Sequence, residues 1–112
     1  MNPNYKLTAT DIKVILFALG VLPTMELEDT EEQANLNQIC CIGAAHKLTT
    51  GKNKFTLNEI RVISASLQIV QLINNGELDA DSELKSDCAR YLFDINRLVP
   101  IFELGDELFD NE

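Results

Sequence analysis

Tryptophan is absent from this sequence, histidine occurs once, and cysteine and proline occur three times each. Aromatic residues make up only 6% of the chain, thin material for a nucleic-acid platform built on base stacking. The cysteines, Cys40, Cys41 and Cys88, are too few and odd in number for a disulfide framework. All three fall in apolar helical stretches, where a free thiol behaves as a small hydrophobe, and this usage points to a reducing, cytoplasmic setting. Basic residues are scarce as well: nine Lys and Arg stand against eighteen Asp and Glu, a formal charge of −9. That balance disfavours nucleic acid and anionic membrane as partners and attracts a basic protein surface. The apolar run from Val14 to Leu22 resembles the core of an export signal, but it is far too short to span a bilayer. Asp11 and Lys13 crowd its start and no small-x-small cleavage site follows, so neither export signal nor membrane anchor is read here.

What is present is enough for one globular domain covering residues 1–112, with 46% apolar and 24% charged residues. Period, caps and breakers predict an all-α fold of four helices and no strands. The first runs from Ala9 to Leu22, opened by Thr8 and Asp11 and closed by Pro23. The second runs from Thr30 to Thr50, with Glu31 and Glu32 at its positive end and Gly51 past its close. Thr56 and Glu59 make a capping box for the third, which Asn75 and Gly76 terminate. The fourth opens near Asp81 and Ser82 and carries an apolar stripe from Leu84 to Val99, with Pro100 as its end or a kink. Residues 103–112 read as an acidic tail containing Leu104, Leu108 and Phe109.

The most informative pattern is internal. The stretch from Lys6 to Ile15 matches that from Lys54 to Ile63 at an offset of 48 residues. Lys, Thr, Ile, Val and Ile are identical, and Leu7/Phe55, Asp11/Glu59 and Lys13/Arg61 are conservative. The same offset aligns Leu19 with Leu67, Leu36 with Leu84 and Cys40 with Cys88. A capped amphipathic helix always starts somewhat like this, but capping does not require the match in the second helix. The expectation is therefore a compact four-helix arrangement from two duplicated helical hairpins, approximately 9–50 and 57–99. Each buries its apolar face on the other, either about a pseudo-twofold axis or as a short solenoid.

Function is sought where the halves differ. The third helix has a polar stripe through Arg61, Ser64, Gln68, Gln71 and Asn75, whereas the first has Leu16, Gly20 and Pro23 in its place and Phe17 for Ala65. A helix apolar nearly all round is expected to be covered nearly all round, by its own chain or by another copy. Leu16, Phe17 and Gly20 are thus a candidate homodimer contact or partner site. Phe93 lies about 180° from the Leu84–Val99 stripe and, with Ile101 and Phe102, forms a second candidate patch.

Chemistry-bearing motifs fail on inspection. Asp79, Asp81 and Glu83 alternate like a calcium loop, but Leu84 stands where Gly is needed and Arg90 where Glu is needed. Thr50, Gly51 and Lys52 resemble a fragment of a phosphate loop without its upstream glycine. Lys47, Lys52 and Lys54 with His46 suit a helix C-terminus. His46 is too far along one helix from Cys40 for a nucleophile–base pair, and Cys40 and Cys41 diverge by about 100°. No catalytic, cofactor-binding or metal residue is assigned, and no cofactor. The reading is a small acidic non-catalytic protein-interaction or regulatory module, cytoplasmic, with an unknown protein partner or a second copy and no nucleic acid or membrane. The alternatives are an acidic decoy or inhibitor that mimics nucleic acid towards a basic protein, and a small carboxylate-dependent enzyme.

Overall fold

Local capping chemistry sets where each helix begins. The structure, a computed structural model, describes residues 6–24, 30–52 and 54–110, with residues 106–110 as backbone only. Thr8 and Thr56 hold extended backbone and accept from the N–H groups of Asp11 and Glu59, whose carboxylates return the bond to the Thr amides. These reciprocal boxes open α1 (Ala9–Val21) and α3 (Leu57–Asn74). Thr30 caps α2 (Glu31–Thr49) and Asp81 caps α4 (Ser82–Arg90) through single side-chain bonds. A 3-10 turn, Leu22–Thr24, ends α1 around Pro23. Gly51 and Gly76 end α2 and α3 with φ of +77° and +79°, backbone that L side chains rarely adopt. There the N–H groups of Lys52 and Glu77 reach back to the carbonyls of Lys47 and Leu72 at 2.8 and 3.0 Å.

The protein is all-helical, with no strand among the described residues. It departs from the expected four helices at one place. The fourth segment breaks at Tyr91 and resumes as α5 (Leu92–Asp110), which continues through Pro100. Proline lacks an amide for the carbonyl four residues back and crowds it, a cost of about 3 kcal/mol in a helix interior. Packing on both sides of Pro100 offsets that cost. Leu98, Val99 and Phe102 are buried, while the ring itself faces outward. The segment read as an acidic tail from Glu103 is thus helical backbone as far as Asp110, and Leu108 and Phe109 lie outside the residues whose side chains are described.

The core is organised around α3, which packs against every other helix. Ile60, Ile63, Leu67 and Val70 are fully enclosed on it, facing Val14, Ile15 and Ala18 of α1, Ala44 and Leu48 of α2, and Ile95, Leu98 and Phe102 of α5. The polar stripe expected on α3 keeps Arg61 and Asn75 exposed and Gln68 and Gln71 half-buried, but Ser64 departs from it. Ser64 and Ser66, on the helix read as having a wet side, are buried. Ser66 donates to the Val62 carbonyl at 2.7 Å, and Ser64 accepts from Gln68 at 3.0 Å. A hydroxyl satisfied within its own helix enters a core at little cost. Conversely α1, the more apolar helix, lies towards the rim of the bundle.

Candidate interaction surface

Two carboxylates are buried, and both are committed to the fold. Asp11 on α1 accepts from the Thr8 amide at 3.0 Å and from the Arg97 guanidinium of α5. Glu59 on α3 accepts from the Thr56 amide at 2.8 Å and from the Lys47 ammonium of α2 at 2.5 Å. Burial pushes the Asp11 carboxyl up, but the Thr8 N–H and Arg97 outweigh it and hold the group below its usual range. Glu59 follows the same logic, with burial outweighed by Lys47 and the Thr56 N–H. The paired cation in each case comes from the other half of the chain. Such carboxylates stay ionised and held, unlike a general acid, which needs a raised pKa.

The thiols are equally unsuited to attack. Burial, reinforced by the neighbouring Cys40, pushes the Cys41 thiol up to about 11. Burial also raises Cys40, with Glu59 adding to it, and Cys88, with Asp87 adding to it. A nucleophilic cysteine needs the opposite shift. Among the described residues there is no cluster of three or more His, Cys, Asp or Glu able to hold a metal ion, and no helix long and apolar enough to cross a membrane.

The expected interaction residues separate into three environments. Leu16 and Phe17 are half-buried and Gly20 is exposed, so the three form a ridge along the outer side of α1. Phe17 packs on Tyr91 with ring centroids 5.0 Å apart, which ties α1 to the break between α4 and α5. Phe93 is 79% exposed on the outside of α5. Phe102 is fully buried, which corrects its assignment to the same patch as Phe93. The two are nine residues apart in the chain, about 180° around the helix, so one faces the core when the other faces water. Ile101 and Leu104, within about 80° of Phe93, take its place beside it.

The ridge on α1 stands between two grooves. One, of about 290 Å³, runs between α1 and α2 and includes Leu16, Gly20, Pro23 and Ile42. The other, of about 530 Å³, runs between α1 and α4 and is lined by Leu16, Gly20 and Leu84 together with the acidic margin of Asp81, Glu83 and Asp87. Gly20 separates them at low height, since a side chain built there meets no atom within 4 Å. A third hollow of about 520 Å³ lies between α2 and α3, with Arg61 and Gln68 among its polar lining. Sequence reasoning missed Ile39 and Ile42, which are 66% and 64% exposed and extend the apolar surface onto α2. Their signal was available: both stand off the Cys41–Ala44–Leu48 line that turns α2 inward. Glu26, Glu28 and Asp29, part of the acidic material that a decoy reading would use, lie outside the described residues. No family model matches the chain, and no curated protein or solved structure matches it either.

Proposed function

We propose that the protein is a small non-catalytic interaction module that receives another protein on the outer side of α1. One observation carries this reading. The most apolar helix of the chain lies at the rim of the bundle, with Gly20 exposed and Leu16 and Phe17 half-buried between two grooves. Exposed Ile42, which lines the α1–α2 groove, widens the same surface. An apolar patch with polar margins is the ordinary form of a protein-docking face. The occupant is a protein with cationic residues, the kind that a chain of charge −9 attracts, in preference to a second copy of equal charge. Three free, buried cysteines fit a reducing compartment, which supports a cytoplasmic location.

The two halves of the chain are read as copies of one helical hairpin. Supporting this are the matching capping boxes at Thr8 and Thr56 and the cross-wise ion pairs Asp11–Arg97 and Glu59–Lys47. In this reading the second copy diverged by breaking its second helix at Tyr91.

A photo-crosslinking amino acid placed at position 20, compared with one at exposed Lys52, tests the function. The expected result is a discrete protein adduct from position 20 in native lysate and none from position 52. The identified protein, purified, is expected to bind the wild-type chain and to lose binding to Gly20→Trp. Identical adducts from both positions, or none from either, overturn the reading.

A further inference from the structure

The α1–α4 groove differs from the other two hollows in the chemistry of its margin. Its lining combines Leu16, Gly20 and Leu84 with a rim of carboxylates, Asp81, Glu83 and Asp87, from the cap and first two turns of α4. No Lys, Arg or His lines it among the described residues. Leu16 and Thr24, which both line it, stand eight residues apart across the end of α1 and the 3-10 turn that follows. The rim charges are available to a partner. Glu83 is exposed, Asp81 is exposed while its Oδ1 accepts from the Leu84 N–H as the cap of α4, and the Asp87–Arg90 pair, at 3.4 Å, is a solvated contact between neighbouring turns that yields readily to a competing cation.

We infer that this groove docks a short amphipathic helix of a partner protein. Its apolar side lies along Leu16, Gly20 and Leu84, and its lysines or arginines lie over Asp81, Glu83 and Asp87. The missing side chain at Gly20 leaves open space beside Leu16 in which an apolar side chain of the partner helix can approach the α1 backbone, since nothing stands within 4 Å of a Cβ there. Long cationic side chains suit such a margin, because their methylene stems cover apolar surface while their heads reach the carboxylates. The arrangement is the helix-in-groove mode, with charge setting orientation and on-rate. A second copy related by a twofold axis would bring another three carboxylates to the same rim, so the chemistry disfavours it. This inference rests on the reading of the chain as an interaction module.

The test is fluorescence anisotropy of the full chain with three labelled synthetic peptides of about 14 residues, roughly four helical turns. One has Leu at helical spacing with Lys between, one has Glu in place of Lys, and one is a scrambled Leu/Lys peptide of the same composition. Specific binding of the first peptide is expected, with the other two weaker by about tenfold or more. Gly20→Trp is expected to weaken it by about tenfold with the circular-dichroism spectrum and Tm retained, as for a central anchor site. Glu83→Lys combined with Asp87→Asn is expected to do the same and to flatten the salt dependence. Equal binding of the scrambled peptide overturns the inference in favour of bulk charge attraction. Undiminished binding to both variants places the contact elsewhere and overturns it too. A dimer seen by sedimentation and lost in Gly20→Trp names a second copy as the occupant and overturns the cationic helix. If no peptide binds while the position-20 adduct persists, the partner's chemistry is wrong and the interaction reading stands. If the adduct is absent too, that reading falls as well.

Discussion

Gly20 and Gly43 show how far one added methyl group depends on its surroundings. In a helix interior, Gly to Ala gains about 0.5–1 kcal/mol of propensity. At Gly20 a Cβ enters open space, so Gly20→Ala is expected to gain close to that full amount. At Gly43 it comes within 2.8 Å of the Glu59 Oε2, a carboxylate whose other oxygen is held by Lys47 and Thr56. Moving it loosens the cap of α3. Urea denaturation is expected to place Gly43→Ala at least about 1 kcal/mol below Gly20→Ala, given the usual worth of a cap. Equal midpoints would show that Glu59 yields freely. The same residue governs acid stability. Asp11 and Glu59 have lowered pKa values in the folded protein, so the unfolded chain binds more protons than the folded one in mild acid. Their contribution is complete above the unfolded values, at about pH 4–4.5, and is lost as pH falls through the lower folded ones. Asp11→Asn with Glu59→Gln is expected to cost at least about 1.5–3 kcal/mol at pH 7, the range for a single bond to a charged group. The double variant is also expected to flatten the acid limb of the urea midpoint between about pH 5 and 3, the window where such carboxylates titrate. Parallel acid limbs would assign the pH dependence to other carboxylates.

At the scale of elements, Pro100 is the feature with the clearest cost. Its ring is exposed while Leu98, Val99 and Phe102 around it are buried, so replacing it removes no core contact. Pro100→Ala restores an amide donor to the Asn96 carbonyl and is expected to stabilise the fold by about 1–3 kcal/mol. A destabilised variant would mean that a bend at Pro100 sets how Phe102 reaches the core. The helix starts were legible in the sequence because a capping box is a local device, as at Thr8 and Thr56. The continuation through Pro100 was not, because it is driven by tertiary burial of Phe102 that no local signal encodes. The burial of Ser64 within the polar stripe of α3 was missed for a related reason: side-chain polarity counts a serine as wet, yet this small side chain, bonded to Gln68 on the next turn, fits under its neighbours. The ridge of Leu16, Phe17 and Gly20 was legible as an anomaly of pattern. The rim of Asp81, Glu83 and Asp87 was not, since only the fold brings α4 beside α1.

At the scale of the whole molecule, the two cross-wise ion pairs bind the halves into one unit. Arg97 holds the cap of α1, and Lys47 holds the cap of α3. Each opening turn is thus completed by a side chain from the other half, 86 residues on for Asp11 and 12 residues back for Glu59. Cleavage at the exposed Gly51–Lys52 turn removes no core contact, yet it leaves two pieces that each lack the other's clasp. Separately, the two pieces are expected to give coil-like circular dichroism; mixed at equal concentration, they are expected to recover the helical spectrum. Fragments that turned helical alone would show that the clasp is dispensable. The halves are therefore complementary fragments, each carrying the cation that completes the other's first helical turn.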